Sequence, residues 1–258
     1  MNIDMIVTDL DNTLLRSDKT ISGYTRDVLN RCRARGVRVM FATARPPRTV
    51  RRFALGFEPD AIAYHIGALV MDGGRELCQA GISGADARRI MLRLSTELPG
   101  VTLSLEQGDQ LYANFDTDLV WRGEDCVRTD FSDLPDLTVY KLIVGISSPG
   151  DIARIAPLLP DYLYAQPCEN TLALIMNRRA TKLGGIRDVA AAHGIPMERV
   201  AAFGDDYNDI DMLRACGVGV AVDNALPEVK AAADQLCADC DADGVAHWLE
   251  TNVLGQHG

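Results

Sequence analysis

The segment Asp9-Leu10-Asp11-Asn12-Thr13 puts two carboxylates one residue apart, directly behind the apolar run Met5–Thr8. A second acidic cluster, Gly204-Asp205-Asp206-Tyr207-Asn208-Asp209, follows another apolar run, Val200–Phe203. If those runs are neighbouring strands of a parallel sheet, both clusters open into the crevice beyond the strands' carboxyl ends, where such sheets bind ligands. Four or five acids in one crevice repel one another and raise each other's pKa unless a cation sits among them. With hard oxygens and no His or Cys in the set, Mg²⁺ is the expected ion.

Two further stretches point to the same place. Phe41-Ala42-Thr43-Ala44-Arg45 closes a strand-like run with a hydroxyl and a guanidinium. Lys182 follows the candidate helix cap Thr181, where exposed N–H groups and the helix dipole already attract an anion. A lysine, a hydroxyl, a helix start and a divalent cation together suit a phosphate. A carboxylate beside them can attack phosphorus, and a second can move the leaving-group and water protons.

The elements that would position these groups alternate. Strand signals at Met5–Thr8, Val37–Ala42 and Ala61–His65 are separated by helix signals. One helix runs from the Ser22 cap to Arg35, with Tyr24, Val28, Leu29 and Cys32 on its apolar face; another opens at Pro46-Pro47. Ala68–Met71 with Asp72-Gly73 reads as a hairpin. The last third resumes the alternation: a helix from Thr181 to His193, a strand at Val200–Phe203, a helix at Asp209–Ala215, a strand at Val218–Val222, then a short helix at Pro227–Ala233, with Val245–Val253 closing the chain. This predicts an α/β core with a parallel sheet covered on both faces. Between the halves lies a helix, Ala85–Leu98, and two strands around Gln107-Gly108-Asp109. A polar stretch follows, Thr117–Asp136, then a strand at Tyr140–Ile146, a helix at Asp151–Leu159, and strands at Tyr162–Gln166 and Thr171–Met176. Tight turns between adjacent strands make this an α+β insert. The expected division is residues 1–80 with 181–258 for the core and 81–180 for the insert.

Composition narrows the partners. Across 258 residues, 26 Lys+Arg against 36 Asp+Glu give a net charge of −10, which disfavours nucleic acid and anionic membranes. No apolar stretch reaches transmembrane length, and MNIDMIVTDL lacks a basic n-region, so a cytoplasmic protein without a signal peptide is expected. Seven scattered cysteines fit a reducing compartment. Cys237 and Cys240 have metal-ligand spacing, with His247 as the nearest further candidate, but no second such pair exists and incidental thiols are the favoured reading. Arg48, Arg51 and Arg52 share a helix face, favoured as solvated over phosphate-steering.

The motifs DLDNTLL, FATAR, TKLGGI and FGDDYNDIDML, with GVAVDNALPEVKAAAD and DADGVAHWL behind them, resemble the haloacid dehalogenase superfamily, and more narrowly its Cof-type phosphatases with a type-IIB cap. The resemblance spans the chain and implies a Rossmann-like core with an inserted cap that closes over the site and sets specificity. It implies Asp9 as nucleophile and Asp11 as general acid/base. Mg²⁺ would be held by Asp9, the Asp11 backbone carbonyl and Asp205. Leu10, Thr43, Ala44, Arg45, Lys182 and Asn208 would contact the phosphoryl group or substrate, with Asp206 and Asp209 behind them. The implied activity is hydrolysis of a small phosphorylated metabolite, a sugar phosphate or similar phosphomonoester. A homodimer is compatible with the family. Two departures stand out: Ala44 where the family usually has Gly, and Ile66, in His65-Ile66-Gly67-Ala68, where it usually has Asn. Tyr112, Asn114, Arg122, Glu169 and Asn170 are cap positions that could reach a substrate. Rival readings are a sugar phosphomutase using the same intermediate, and a non-catalytic phosphate- or metal-binding or switch module; Asp11, a second carboxylate that hydrolysis needs and a switch would do better without, argues against the last.

Overall fold

The computed structural model describes residues 2–53, 55–168 and 171–255. The chain forms two compact units, one from residues 1–79 and 181–258, the other from 80–180.

The first unit is built on an eight-stranded sheet. Its strands are β1 (Met5–Thr8), β2 (Arg38–Ala42), β3 (Ala61–Tyr64), β4 (Leu69–Asp72) and β5 (Arg75–Gln79), and, after the insert, β12 (Val200–Gly204), β13 (Val218–Val222) and β14 (Gln235–Cys237). The order is β14-β13-β12-β1-β2-β3-β4-β5, parallel from β14 to β3 and antiparallel at β4 and β5. Every residue of β1, β12 and β13 is buried, so these segments read as continuous apolar runs rather than alternating ones. Burying Met5, Ile6 and Val7 stabilises β1 by about 1.5–3 kcal/mol for each side chain.

The sheet is covered by α1 (Gly23–Ala34) and α8 (Gly244–Leu249), which pack together, and by α5 (Lys182–Ala192), α6 (Ile210–Ala215) and α7 (Pro227–Ala232); α2 (Pro47–Arg52) follows β2. Sequence accounts for their limits. Ser22 accepts from the Thr25 N–H and Thr181 from the Gly184 N–H, each satisfying a donor that the helix start leaves free. On α1 the buried face is Thr25, Val28, Leu29 and Cys32, while Tyr24 lies at its margin. Phe203 meets Trp248 edge-on, 5.2 Å between ring centres, which seats α8 on β12.

The second unit contains α3 (Gly84–Glu97), β6 (Leu103–Gln107), β7 (Gln110–Ala113), β8 (Cys126–Arg128), β9 (Val139–Gly145), α4 (Ile152–Ile155), β10 (Leu163–Cys168) and β11 (Leu172–Asn177). Its sheet runs β10-β11-β9-β6-β7-β8, antiparallel except for β7 with β8. Ile90, Met91 and Leu94 of α3 pack with Leu105, Leu142 and Ile175 of the sheet.

The sequence reading fails in three places. The single helix expected over Asp151–Leu159 is broken into α4 between two tight turns. Pro157 explains the break, since its ring removes a donor and clashes with the carbonyl four residues back. The polar stretch Thr117–Asp136 hides β8 and the fully buried Phe131. β14 escapes because three residues with Leu236 exposed carry no periodic signal.

Candidate active site

β1 lies between β12 and β2, with Thr8 in register with Phe203 on one side and Phe41 on the other. The chain order reverses at β1, which makes this the sheet's topological switch point. Asp9 is therefore level with Gly204 and Ala42, and Asp205 and Thr43 come one residue further on. Three separate sequence segments thus meet at one sheet edge.

Lys182, the first residue of α5, closes the group. Its ammonium lies 2.7 Å from Asp9 Oδ1 and 2.6 Å from Asp209 Oδ1, and all three side chains are buried. The other Asp209 oxygen accepts from the Asp205 and Asp206 backbone N–H groups at 3.0 and 3.1 Å. Asp206, itself exposed, accepts from the Tyr207 N–H. This reciprocal cap needs Gly204, where a Cβ would fall 2.4 Å from Asp209 Cβ. The Thr13 hydroxyl donates to Asp205 Oδ1 at 2.6 Å, tying the first motif to the fourth.

Asp9, Asp205 and Asp209 each offer a carboxylate oxygen within 4.8 Å of the others. With one ammonium among three carboxylates, the cluster carries a formal charge of −2 if all are ionised. Burial pushes the Asp9 carboxyl up to about 8, against the Lys182 ammonium and with help from the Asp209 and Asp205 charges. Burial likewise raises Asp205 to about 6, although the Thr13 hydroxyl pulls the other way. Burial alone would lower Lys182; the Asp209 and Asp9 carboxylates outweigh it and hold the lysine above its ordinary value, so it stays charged. Asn208 Oδ1 is buried and has no hydrogen-bond partner among the described residues. Hard oxygens, uncompensated negative charge and an orphaned carbonyl oxygen fit a divalent cation such as Mg²⁺.

Asp11 takes a different course. Its carboxylate is gripped by Arg45, Nε to Oδ2 at 2.5 Å and Nη2 to Oδ1 at 2.8 Å, and Lys19 Nζ reaches Oδ1 at 2.9 Å. Partial burial raises this carboxyl, but the Arg45 and Lys19 hydrogen bonds and charges prevail and hold it below the usual carboxylate range. Asp11 is thus charged and oriented, apart from the Asp9–Asp205–Asp209 group. Arg45 also stacks over Phe53, 4.9 Å from the ring centre.

Thr43 is buried and its hydroxyl accepts from the Arg45 N–H at 3.1 Å; its carbonyl accepts from the Ile66 N–H at 2.9 Å. Ile66 has φ +59, with His65 at +49 and Gly67 at +92. The left-handed region is rare for a β-branched residue and is better tolerated by Asn. A Cβ on Gly67 would fall 2.1 Å from the Thr181 carbonyl oxygen, so the turn after β3 abuts the start of α5. Leu10 is buried, its carbonyl accepting from the Leu15 N–H at 2.7 Å, and Ala44 is half-buried beside Thr43.

Thr13 and Asn224 lie within quoted motifs but are given no role by the sequence, and Lys19 lies outside every motif; the Asn224 amide donates to the Asn12 carbonyl at 2.6 Å. Elsewhere, Tyr112 packs into the hydrophobic core of the second unit, and Asn114 bonds the Leu103 N–H and Val101 carbonyl, which are structural tasks. Arg122 is exposed, and Glu169 and Asn170 lie outside the described residues. Arg51 and Arg52 are exposed and Arg48 half-buried on α2. Cys237 and Cys240 are free thiols, and His247 Nδ1 pairs with the Tyr24 hydroxyl. Among the described residues no helix is long and apolar enough to cross a membrane.

Comparison with known proteins agrees with this architecture. Residues 6–249 match the family model for haloacid dehalogenase-like hydrolases. The chain is 27% identical to YxeH of Bacillus subtilis, over 98% of this chain and 99% of that protein. It is 26% identical to the 5-amino-6-(5-phospho-D-ribitylamino)uracil phosphatase YitU of the same organism, covering 95% and 96%. Among solved structures, the subclass IIB sugar phosphatase BT4131 superposes with a TM-score of 0.79 at 22% identity, covering 96% of this chain and 98% of that one. The chain belongs to the haloacid dehalogenase-like hydrolases, and its fold is that of their subclass IIB.

Proposed function

We propose that this protein, a phosphatase of the haloacid dehalogenase-like family, hydrolyses a small phosphorylated metabolite through an aspartyl-phosphate on Asp9, with Mg²⁺ as cofactor. The observation that carries the reading is the buried Asp9–Lys182–Asp209 chain beside an Asp11 held apart and charged. An Asp9 oxygen attacks phosphorus and the ester oxygen leaves, taking a proton from Asp11. Water then attacks the acyl phosphate, Asp11 recovers a proton from it, and phosphate departs with Asp9 regenerated. Lys182 and the Thr43 hydroxyl, with backbone N–H groups at Leu10 and Ala44 and the Asn208 amide, neutralise and orient the phosphoryl oxygens. Arg45 orients Asp11. Asp9, Asp205 and the Asp11 backbone carbonyl would hold Mg²⁺, which supplies charge neutralisation when bound; Asp206 and Asp209 shape the loop that carries Asp205.

Asp11 starts deprotonated, which suits the second step. It serves the first once a dianionic substrate draws a proton onto it. YitU and BT4131 are named for phosphorylated small molecules, one a phosphoribityl compound and one a sugar, which supports a sugar phosphate or related phosphomonoester. The insert, residues 80–180, is the proposed specificity domain, and the seven scattered cysteines suit a reducing compartment such as the cytoplasm. The test is phosphate release across a panel of phosphorylated metabolites with and without Mg²⁺. Metal-dependent release from a subset supports the reading, and none from any member counts against it.

A further inference from the structure

Asp11 accepts from three donors, and their arrangement is asymmetric. Among the described residues Oδ1 takes Arg45 Nη2 at 2.8 Å and Lys19 Nζ at 2.9 Å, whereas Oδ2 takes only Arg45 Nε at 2.5 Å. A carboxylate has about four acceptor sites, two on each oxygen. Both sites on Oδ1 are filled, and one on Oδ2 remains. Arg45 alone would leave the two oxygens equivalent, so the asymmetry comes from Lys19.

Lys19 reaches this place at a backbone cost. It lies at the tip of a tight turn closed by Lys19 N–H to the Arg16 carbonyl at 2.9 Å and Arg16 N–H to the Thr20 carbonyl at 3.0 Å. Its φ is +65, at a turn position where glycine is the ordinary choice. An unfavourable backbone kept at a residue whose side chain contacts a reacting group points to a use for that side chain. The turn is also fixed from outside. Arg16 pairs with Asp243 through Nε at 3.2 Å and Nη2 at 2.5 Å, and the Ser17 N–H donates to Asp241 Oδ1 at 2.8 Å. Asp18 Oδ1 accepts from the Thr20 N–H and hydroxyl. The chain's last segment thus holds the Lys19 turn, and Lys19 holds Asp11.

We propose that Lys19 is a positioning residue that saturates Oδ1 of Asp11, leaving Oδ2 as the oxygen through which Asp11 exchanges its proton. This rests on the phosphatase reading, in which Asp11 is the acid/base. The test compares Lys19→Gly, Lys19→Met and Lys19→Arg in the full chain, on a substrate found by the panel. Glycine suits the turn, so Lys19→Gly should melt no lower than the wild type. Yet kcat should fall about tenfold with KM changed by less than about twofold, the pattern of a displaced proton-transfer group. Lys19→Met should behave alike, and Lys19→Arg should recover most of the loss. Wild-type kcat in Lys19→Gly would overturn the proposal, as would a loss that Lys19→Arg does not restore. If Asp11→Asn turns over normally, or the panel gives no substrate, the phosphatase reading is what fails. The Lys19 claim is then decided by a crystal structure of Lys19→Gly: an Asp11 carboxylate split between orientations upholds it, and an unchanged single orientation refutes it.

Discussion

The Lys182 ammonium stands between Asp9 and Asp209, 2.7 and 2.6 Å from their carboxylates, with no more than a few per cent of its side chain exposed. A lysine at a helix's first position opposes the helix dipole, and here two buried carboxylates offset that. Lys182→Met should lower kcat by about a hundredfold or more, the scale of losing one preorganised charge at the transition state. It also leaves the carboxylates uncompensated. Urea unfolding should show a loss of about 3–5 kcal/mol at pH 8, and less at pH 5 where Asp9 holds a proton.

Metal and pH should be linked through the same cluster. Asp9 and Asp205 have folded-state pKa values raised to about 8 and about 6 from 3.8, so the metal-free folded chain binds protons that the unfolded chain has released. Stability of the chelated protein should therefore fall as pH rises from 3.8 toward 8. Mg²⁺ competes with those protons, so its upward shift of the melting temperature should be small at pH 5 and grow toward pH 8. Differential scanning calorimetry in EDTA and in millimolar Mg²⁺ checks both slopes. A shift independent of pH would disconnect the metal from these carboxylates.

Arg45 is the main force holding the Asp11 carboxyl down. Arg45→Ala should raise the pKa of Asp11 and move the acid limb of the kcat profile to higher pH. The expected loss in kcat at neutral pH is about tenfold to a hundredfold, the lower part of the range for general acid–base catalysis. An unmoved acid limb would show that the fork does not set the charge of Asp11.

Gly67 sits where a Cβ would collide with the Thr181 carbonyl. Gly67→Ala must push the start of α5 and Lys182 with it, besides straining a residue at φ +92. Stability should drop by about 1–3 kcal/mol and kcat by about a hundredfold, since shifts near 1 Å at a reacting centre have that effect. Thermal melting and steady-state kinetics on one preparation measure both. A variant that loses stability but not kcat would separate the turn from the site.

Much of this arrangement was legible in the sequence because it follows from short-range physics. The apolar runs before Asp9 and Asp205 are fully buried parallel strands, and Ser22 and Thr181 are the caps their hydroxyls suggest. What stayed hidden depends on contacts distant in sequence. Lys19 carries no reading of its own in the sequence, because its turn is fixed by Arg16 pairing with Asp243, more than two hundred residues away. Asp11 is legible as the second carboxylate, with its backbone carbonyl toward the metal, but the Arg45 fork that claims its side chain is not. Pro157 is the reverse case: the break it makes in the expected Asp151–Leu159 helix is a local effect of its ring.

The central claim is that Asp9 carries the phosphoryl group. The most direct measurement is to quench the enzyme during turnover of a phosphomonoester in Mg²⁺, reduce with borohydride, and map the peptides by mass spectrometry. Homoserine is expected in place of aspartate at Asp9 and nowhere else, dependent on substrate. Steady turnover with Asp9 unmodified, or reduction at another carboxylate, would contradict it.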